Sequence, residues 1–214
     1  MKILGLVSQK GGTGKSLLAA HLAVAFEETG VPAVAIDLDP QESLKEWGTS
    51  RRGEAPTVVA ALVKRLATML DASRKAGIGI VIIDTPPHSD KNALGTIAVA
   101  DFVLVPIRPS IFDLRSIRDT VHLLRLAKKE DRAAILLNAV PQRGSPVNET
   151  EEAARSYGIE VAPIRIFDRN AFSLALMNSC GITEYEPRGE AAAELRALRA
   201  YVEKRLDLRG RRGL

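Results

Sequence analysis

Short runs of apolar, mostly β-branched residues recur along the chain at residues 3–7, 33–37, 78–84, 102–107, 134–139 and 160–164. Runs of this length bounded by turn residues read as buried strands. Between most of them the apolar positions fall into a helical period. Over residues 113–129, Ile117, Val121, Leu124 and Ala127 share one face, while Arg118, His122, Arg125 and Lys129 form a stripe on another. In the last helix, Ala191, Leu195, Leu198, Val202 and Leu206 make an apolar face, with Arg196, Arg199, Lys204 and Arg205 mostly around it. Strands alternating with helices predict an α/β fold: a single-domain, doubly wound, mostly parallel sheet with helices on both faces. No internal repeat or Gly/Pro/Ser-rich linker divides the chain. The reading is one domain over residues 1–206 and a basic C-terminal tail over 207–214.

Composition narrows this picture. Apolar residues make up 46% of the 214 and aromatics only 4%, so the core must be built from Val, Ile, Leu and Ala, as suits a parallel sheet covered on both sides. The one cysteine, Cys180, excludes an internal disulfide framework and a cysteine-held metal, and a reducing cytoplasm is the expected home. The first apolar run is too short for a signal peptide. No stretch reaches the roughly 18 apolar residues of a membrane-spanning helix. A net charge of +4 is mildly basic and requires a patch, rather than a total, before nucleic acid is invoked.

The chemistry sits at the strand ends. Ser8-Gln9-Lys10-Gly11-Gly12-Thr13-Gly14-Lys15-Ser16 follows the first strand and precedes a helix expected over residues 17–29. That is the setting of a phosphate-binding loop. Gly11, Gly12, Thr13 and Gly14 would turn backbone N–H groups toward phosphate, Lys15 would reach the β- and γ-phosphates, and Ser16 would ligate Mg²⁺. The standard pattern places glycine where Gln9 stands, and an extra lysine, Lys10, follows it. Lys10 would reach a phosphate of its own nucleotide or of a partner's. Asp37 and Asp39 end the second predicted strand and Asp84 the third, in the crevice where open α/β sheets bind ligands. Carboxylates there would hold Mg²⁺ and its waters and orient an attacking water.

Together, Gln9-Lys10-Gly11-Gly12-Thr13-Gly14-Lys15-Ser16, Asp37-Leu38-Asp39-Pro40-Gln41 and Ile83-Asp84-Thr85-Pro86-Pro87 resemble the three motifs of the ParA/MinD family of deviant Walker A P-loop ATPases. Val105-Pro106-Ile107-Arg108-Pro109-Ser110 resembles that family's next strand and loop. The spelling Gln-Lys-Gly-Gly, the short chain and the absence of a preceding DNA-reading domain look most like small plasmid-type ParA partition proteins. The resemblance implies ATP and Mg²⁺ as cofactors and a homodimer formed around two ATP molecules. Lys10 would reach across to the partner's nucleotide, Asp39 would position the hydrolytic water, and Asp37 and Asp84 would lie near Mg²⁺. Lys10, Lys15 and Asp39 are thus the expected catalytic residues, and Asn138 a candidate base contact. Slow hydrolysis stimulated by a ParB-type partner, non-specific DNA binding and a cytoplasmic, nucleoid-associated location complete the implied picture.

Two basic surfaces are candidates for DNA: Arg118, Arg125 and Lys129 on the helical stripe, and Arg209, Arg211 and Arg212 in the tail. A membrane role is not favoured, because the last apolar face gives way to Asp207-Leu208-Arg209-Gly210 rather than to bulky apolar residues. Positioning of a non-DNA or membrane-associated cargo by the same ATPase is the alternative. A metabolic ligase on this scaffold would need an additional acid/base or nucleophile set, and none is evident. Trp47 is expected in a small hydrophobic contact, and Met177 and Cys180 buried near Phe172.

Overall fold

The computed structural model describes residues 1–51, 53, 55–143 and 147–208, and for residues 111–116 the backbone alone. The elements run β1 (Lys2–Leu6), α1 (Lys15–Glu27), β2 (Ala33–Asp37), α2 (Ser43–Ser50), β3 (Thr57–Ala60), α3 (Leu66–Lys75), β4 (Ile80–Asp84), α4 (Asp90–Val99), β5 (Phe102–Ile107), α5 (Ile111–Leu126), β6 (Ala133–Val140), α6 (Val147–Arg155), β7 (Glu160–Phe167), α7 (Asn170–Met177), α8 (Ile182–Tyr185) and α9 (Glu190–Arg205). The strands form one seven-stranded sheet in the order β3-β2-β4-β1-β5-β6-β7. Every neighbouring pair is parallel.

Alternate strand residues face opposite sides of a sheet, and here each side has its own core. Leu4, Leu6, Ile80, Ile82, Phe102 and Leu104 pack under α1, α2, α7, α8 and α9. Ile3, Val7, Val81, Ile83, Val103 and Val105 pack under α3, α4, α5 and α6. Because both faces are covered, the strands are apolar at nearly every position. Helix α1 is itself buried almost all round, from Leu18 to Phe26, because α9 packs against it. Leu195, Leu198 and Val202 of α9 are fully buried, and Leu206 and Leu208 extend the same core beyond the helix.

Strand β1 lies in the middle of the sheet. The connections leaving β1 and β2 pass to one face, and those leaving β4 and β5 pass to the other. This divergence opens a crevice at the C-terminal ends of the strands, and the glycine-rich segment leaves β1 at its centre.

Some elements differ from the sequence reading. Strand β3 was not expected. It has four residues and exists by pairing with β2, Val34 opposite Thr57 through Asp37 opposite Ala60. Asp84 therefore ends the fourth strand, not the third. Helix α5 ends at Leu126, so Lys129 lies in the turn beyond it. Ile117, Val121 and Leu124 are buried as their spacing predicts. Met177 is a correction: it is 80% exposed, because it is the last residue of α7, on the side turned from the core. Cys180 is half-buried. Trp47 is buried beneath α2, with the Arg51 guanidinium 5.1 Å from its ring centroid.

Candidate nucleotide-binding site

The loop from Ser8 to Gly14 joins β1 to α1 and ends in a left-handed residue, Gly14, at φ 88°. A Cβ at Gly14 would stand 2.3 Å from Asn138 Nδ2, so both the backbone angle and the space demand glycine. The Asn138 amide donates to the Thr13 carbonyl at 2.7 Å and pins the loop from the far side. Asn138 reaches it because β6 is irregular at that point: its register with β7 shifts between Leu137 and Val140, and Ala139 has φ 50°. Bulges of this kind re-aim side chains. The structure thus gives Asn138 a hold on the phosphate loop in addition to a place in the cleft lined by Gly14, Leu17, Phe167, Asp168 and Phe172. This is the side of the site on which the resemblance makes Asn138 a candidate base contact.

Gln9 occupies the position where the standard loop has glycine, and its contacts account for the exchange. Its backbone N–H donates to Thr120 Oγ1 of α5 at 3.3 Å. Its side-chain amide donates to Asp90 Oδ1 of α4 at 2.6 Å. Its carbonyl accepts from His88 N–H at 3.0 Å. The loop is therefore tied to the β4–α4 connection and to α5; the contacts to Thr120 and His88 are the backbone's, and only the one to Asp90 requires the glutamine side chain. In the sequence Gln9 stands out only as a departure from the pattern, because its partners lie 81 and 111 residues away.

Lys15 opens α1 and is 6% exposed. Its ammonium donates to the Lys10 carbonyl at 3.3 Å. Burial lowers its pKa, and the charges of Asp84 and Asp39 partly restore it. Lys10 is half-buried in the loop. Ser16 follows, half-buried, next to Asp84.

Asp84 is the most constrained group of the site. It is fully buried, beside Leu6 of β1 and Asp37 of β2 in the sheet register. Burial pushes its pKa up to about 7. The charges of Asp37 and Asp39 push the same way, while the Ser16 hydroxyl and Lys15 pull it down. Ser16 acts from close by, yet neither carboxylate oxygen of Asp84 makes a well-formed hydrogen bond. An ionised carboxylate buried in this way costs several kcal/mol unless a cation compensates it. A divalent cation beside Ser16 would supply that compensation. Among the described residues, no three His, Cys, Asp or Glu side chains gather to hold a metal by themselves. A cation here would be completed by the Ser16 hydroxyl, water and ligand oxygens, a shell that suits Mg²⁺.

The other two aspartates sit differently. Asp37 is buried, but its oxygens are occupied: Oδ1 accepts from Asp39 N–H at 2.9 Å, and Oδ2 from Leu44 and Lys45 N–H, each at 3.1 Å. It thereby caps the first turn of α2. Burial raises its pKa and these amides lower it. The expectation set Asp37 among the metal-side carboxylates; the structure commits both of its oxygens to backbone amides. Asp39 is half-buried, and its Oδ1 accepts from Gln41 N–H at 3.0 Å. Its charge reaches Lys15, Asp37 and Asp84.

The basic surfaces divide likewise. Arg118 and His122 are exposed on α5, in a shallow groove with Gln9, His88 and Asp90. Arg125 is exposed but donates to the Tyr157 carbonyl at 3.0 Å, and Lys129 Nζ to the Ala100 carbonyl at 2.9 Å. In α9, Arg199 pairs with Glu203 at 2.5 Å, Arg205 pairs with Glu160, and Arg196 donates to the Pro187 carbonyl. Arg209, Arg211 and Arg212 lie outside the described residues.

Comparison with known proteins agrees with this geometry. The family model of the CobQ/CobB/MinD/ParA nucleotide binding domain matches residues 4–179. The chain is 27% identical over 208 residues to the maintenance of carboxysome distribution protein A of Gloeobacter kilaueensis, covering 96% of this chain and 94% of that protein. It is 26% identical over 182 residues to the ParA protein of Rhizobium radiobacter, covering 81% of each. Among solved structures, the septum site-determining protein MinD complexed with Mg-ADP from Pyrococcus horikoshii superimposes with a TM-score of 0.72 at 19% identity, over 95% of this chain and 96% of that one. A family model that spans most of the chain, on a sheet and loop of this form, leads to one conclusion: the protein belongs to the CobQ/CobB/MinD/ParA nucleotide-binding family.

Proposed function

We propose that this chain is the ATPase of a DNA segregation system. In this reading it dimerises around Mg-ATP, binds DNA without sequence preference in that state, and hydrolyses ATP slowly until a ParB-type partner accelerates it. The activity is that of a ParA/MinD-type ATPase, with ATP and Mg²⁺ as cofactors. The observation that carries the reading is the glycine-rich loop opening onto a buried carboxylate, Asp84, neither of whose oxygens makes a well-formed hydrogen bond. The loop amides and Lys15 would bind the triphosphate. Ser16, with Asp84 behind it, would hold Mg²⁺, which when bound neutralises charge on the β- and γ-phosphates. Asp39, whose charge reaches Lys15 and Asp84, would orient the attacking water. Lys10 would reach the partner's nucleotide. The DNA-binding part rests on the ParA and chromosome-partitioning relatives and on exposed Arg118.

A specific observation favours a second cargo. The carboxysome-distribution relatives match over 89% and 96% of this chain, so the same switch positioning a non-DNA cargo is the other reading.

The test is binding to random-sequence duplex DNA with ATP, with ADP and without nucleotide, across a salt series. Binding with ATP alone, falling steeply as salt rises, is expected. An ATP dimer that binds no DNA in any condition would overturn the segregation reading in favour of the other cargo. Asp39→Ala should slow hydrolysis and prolong the ATP-bound dimer; wild-type turnover in that variant would remove Asp39 from the assignment.

A further inference from the structure

Arg108 is the first residue beyond β5, between Pro106 and Pro109. A residue that precedes proline is confined to extended backbone, so the chain leaves the strand tip in a fixed direction. Strand β5 pairs with β1 in parallel, Leu6 opposite Leu104, and the hydrogen bond from Val7 N–H to the Leu104 carbonyl carries that pairing to the start of the phosphate loop. The tip of β5 and the glycine-rich loop therefore stand side by side. The consequence is measurable at Gly12, which has φ 72°. A Cβ built there would lie 3.6 Å from one guanidinium nitrogen of Arg108 and 4.0 Å from the other. The same side chain lines the cleft that contains Gly14, Leu17 and Asn138. The guanidinium thus spans the space between the turn of the loop and the base side of the site.

We infer that Arg108 binds the phosphate chain of the nucleotide held in this loop, as a second cation beside Lys15. The inference rests on the nucleotide-binding reading above. Lys15 opens the helix that follows the loop and Arg108 adjoins Gly12, so a phosphate chain held by the loop amides would lie within the field of both charges. A guanidinium is well matched to phosphate, because its N–H groups form a rigid fork that meets phosphate oxygens two at a time, and it keeps its charge at any physiological pH. Arg169 lines the same cleft, but Glu190 at 2.5 Å and Glu194 at 2.8 Å draw its guanidinium toward α9. Because Arg108 adjoins Gly12 from the base side, it should serve the diphosphate as well as the triphosphate.

The test is equilibrium binding of Mg-ATP and Mg-ADP by the full chain, wild type against Arg108→Gln and Arg108→Lys, with the thermal midpoint of each nucleotide-free protein. Arg108 is exposed, so neither substitution should move that midpoint appreciably. In Arg108→Gln both nucleotides should bind about tenfold more weakly, the loss of one charge-assisted contact, and in Arg108→Lys less so. The defect should shrink as salt rises. Repeating the series in a Lys10→Ala background keeps the measurement on a single subunit's site. Unchanged affinity for both nucleotides in Arg108→Gln would overturn the inference, as would a loss only in the protein able to dimerise. Failure of the wild type to bind Mg-ATP would instead refute the underlying nucleotide-binding reading.

Discussion

Three aspartates at neighbouring strand tips occupy different physical states. Asp84 is buried with no well-formed hydrogen bond to either oxygen, Asp37 has both oxygens filled by backbone amides, and Asp39 is half-exposed in a turn. Residue type and position in the sequence made them equivalent; hydrogen bonding separates them. The separation predicts opposite phenotypes. Asp84→Asn should retain the fold and lose most of the Mg²⁺ dependence of ATP binding. Asp37→Ala should keep that dependence and cost about 1–3 kcal/mol of stability, because three amide donors lose their acceptor. Urea unfolding together with Mg²⁺ titration of nucleotide affinity checks both, and a reversal of the two patterns would exchange their roles.

Elements are joined by buried polar contacts that no periodicity announces. His21, fully buried in α1, accepts from Ile182 N–H at Nδ1 (3.0 Å), while its Nε2 lies 3.2 Å from the Phe172 carbonyl. A neutral ring with the proton on Nε2 satisfies both contacts and fastens α1 to α7 and α8. Burial lowers the His21 pKa to about 4, against smaller upward pulls from the Phe172 carbonyl and Glu184. With the folded value below the ordinary 6.5, protons bind the unfolded chain first. This contribution to stability is complete above pH 6.5 and is lost as pH falls toward 4. Between those limits His21→Gln should show a shallower loss of stability than wild type, by on the order of 3 kcal/mol across the window. Denaturant unfolding at a series of pH values measures it, and parallel curves would mean that His21 is not held neutral.

At the scale of the molecule, the arginines among the described residues differ in how far the fold itself engages them. Arg199 is tied to Glu203, of which only 2% is exposed, whereas Arg118 projects from α5 beside the groove that meets Gln9. Arg118→Ala should weaken DNA binding by the ATP form and reduce its salt slope by about one, with stability unchanged. Arg199→Ala should leave DNA binding alone and cost on the order of 3 kcal/mol, because it removes an ion-pair partner of a buried carboxylate. Salt-dependent binding curves and unfolding midpoints of the two variants separate these outcomes. Equal effects on DNA binding would point away from α5.

The alternation of apolar runs with helical periods was enough to determine the α/β class, six of the seven strands and the burial of Ile117, Val121, Leu124 and the α9 face, because burial of one face leaves a period in any chain. The order of Gly, Lys and Ser after β1 likewise marked the candidate phosphate loop, since that pattern is local to a single segment. Tertiary structure alone decided the rest. Strand β3 is short and has no pattern of its own; β2 makes it a strand. Gln9 acquires meaning from Asp90 and Thr120, Asn138 from a bulge in β6, and Arg108 from the adjacency of β5 to β1. Each of these depends on a contact between residues far apart in the chain. Such contacts arise only once strand order is established, and strand order is set by which faces the helices cover rather than by any one segment.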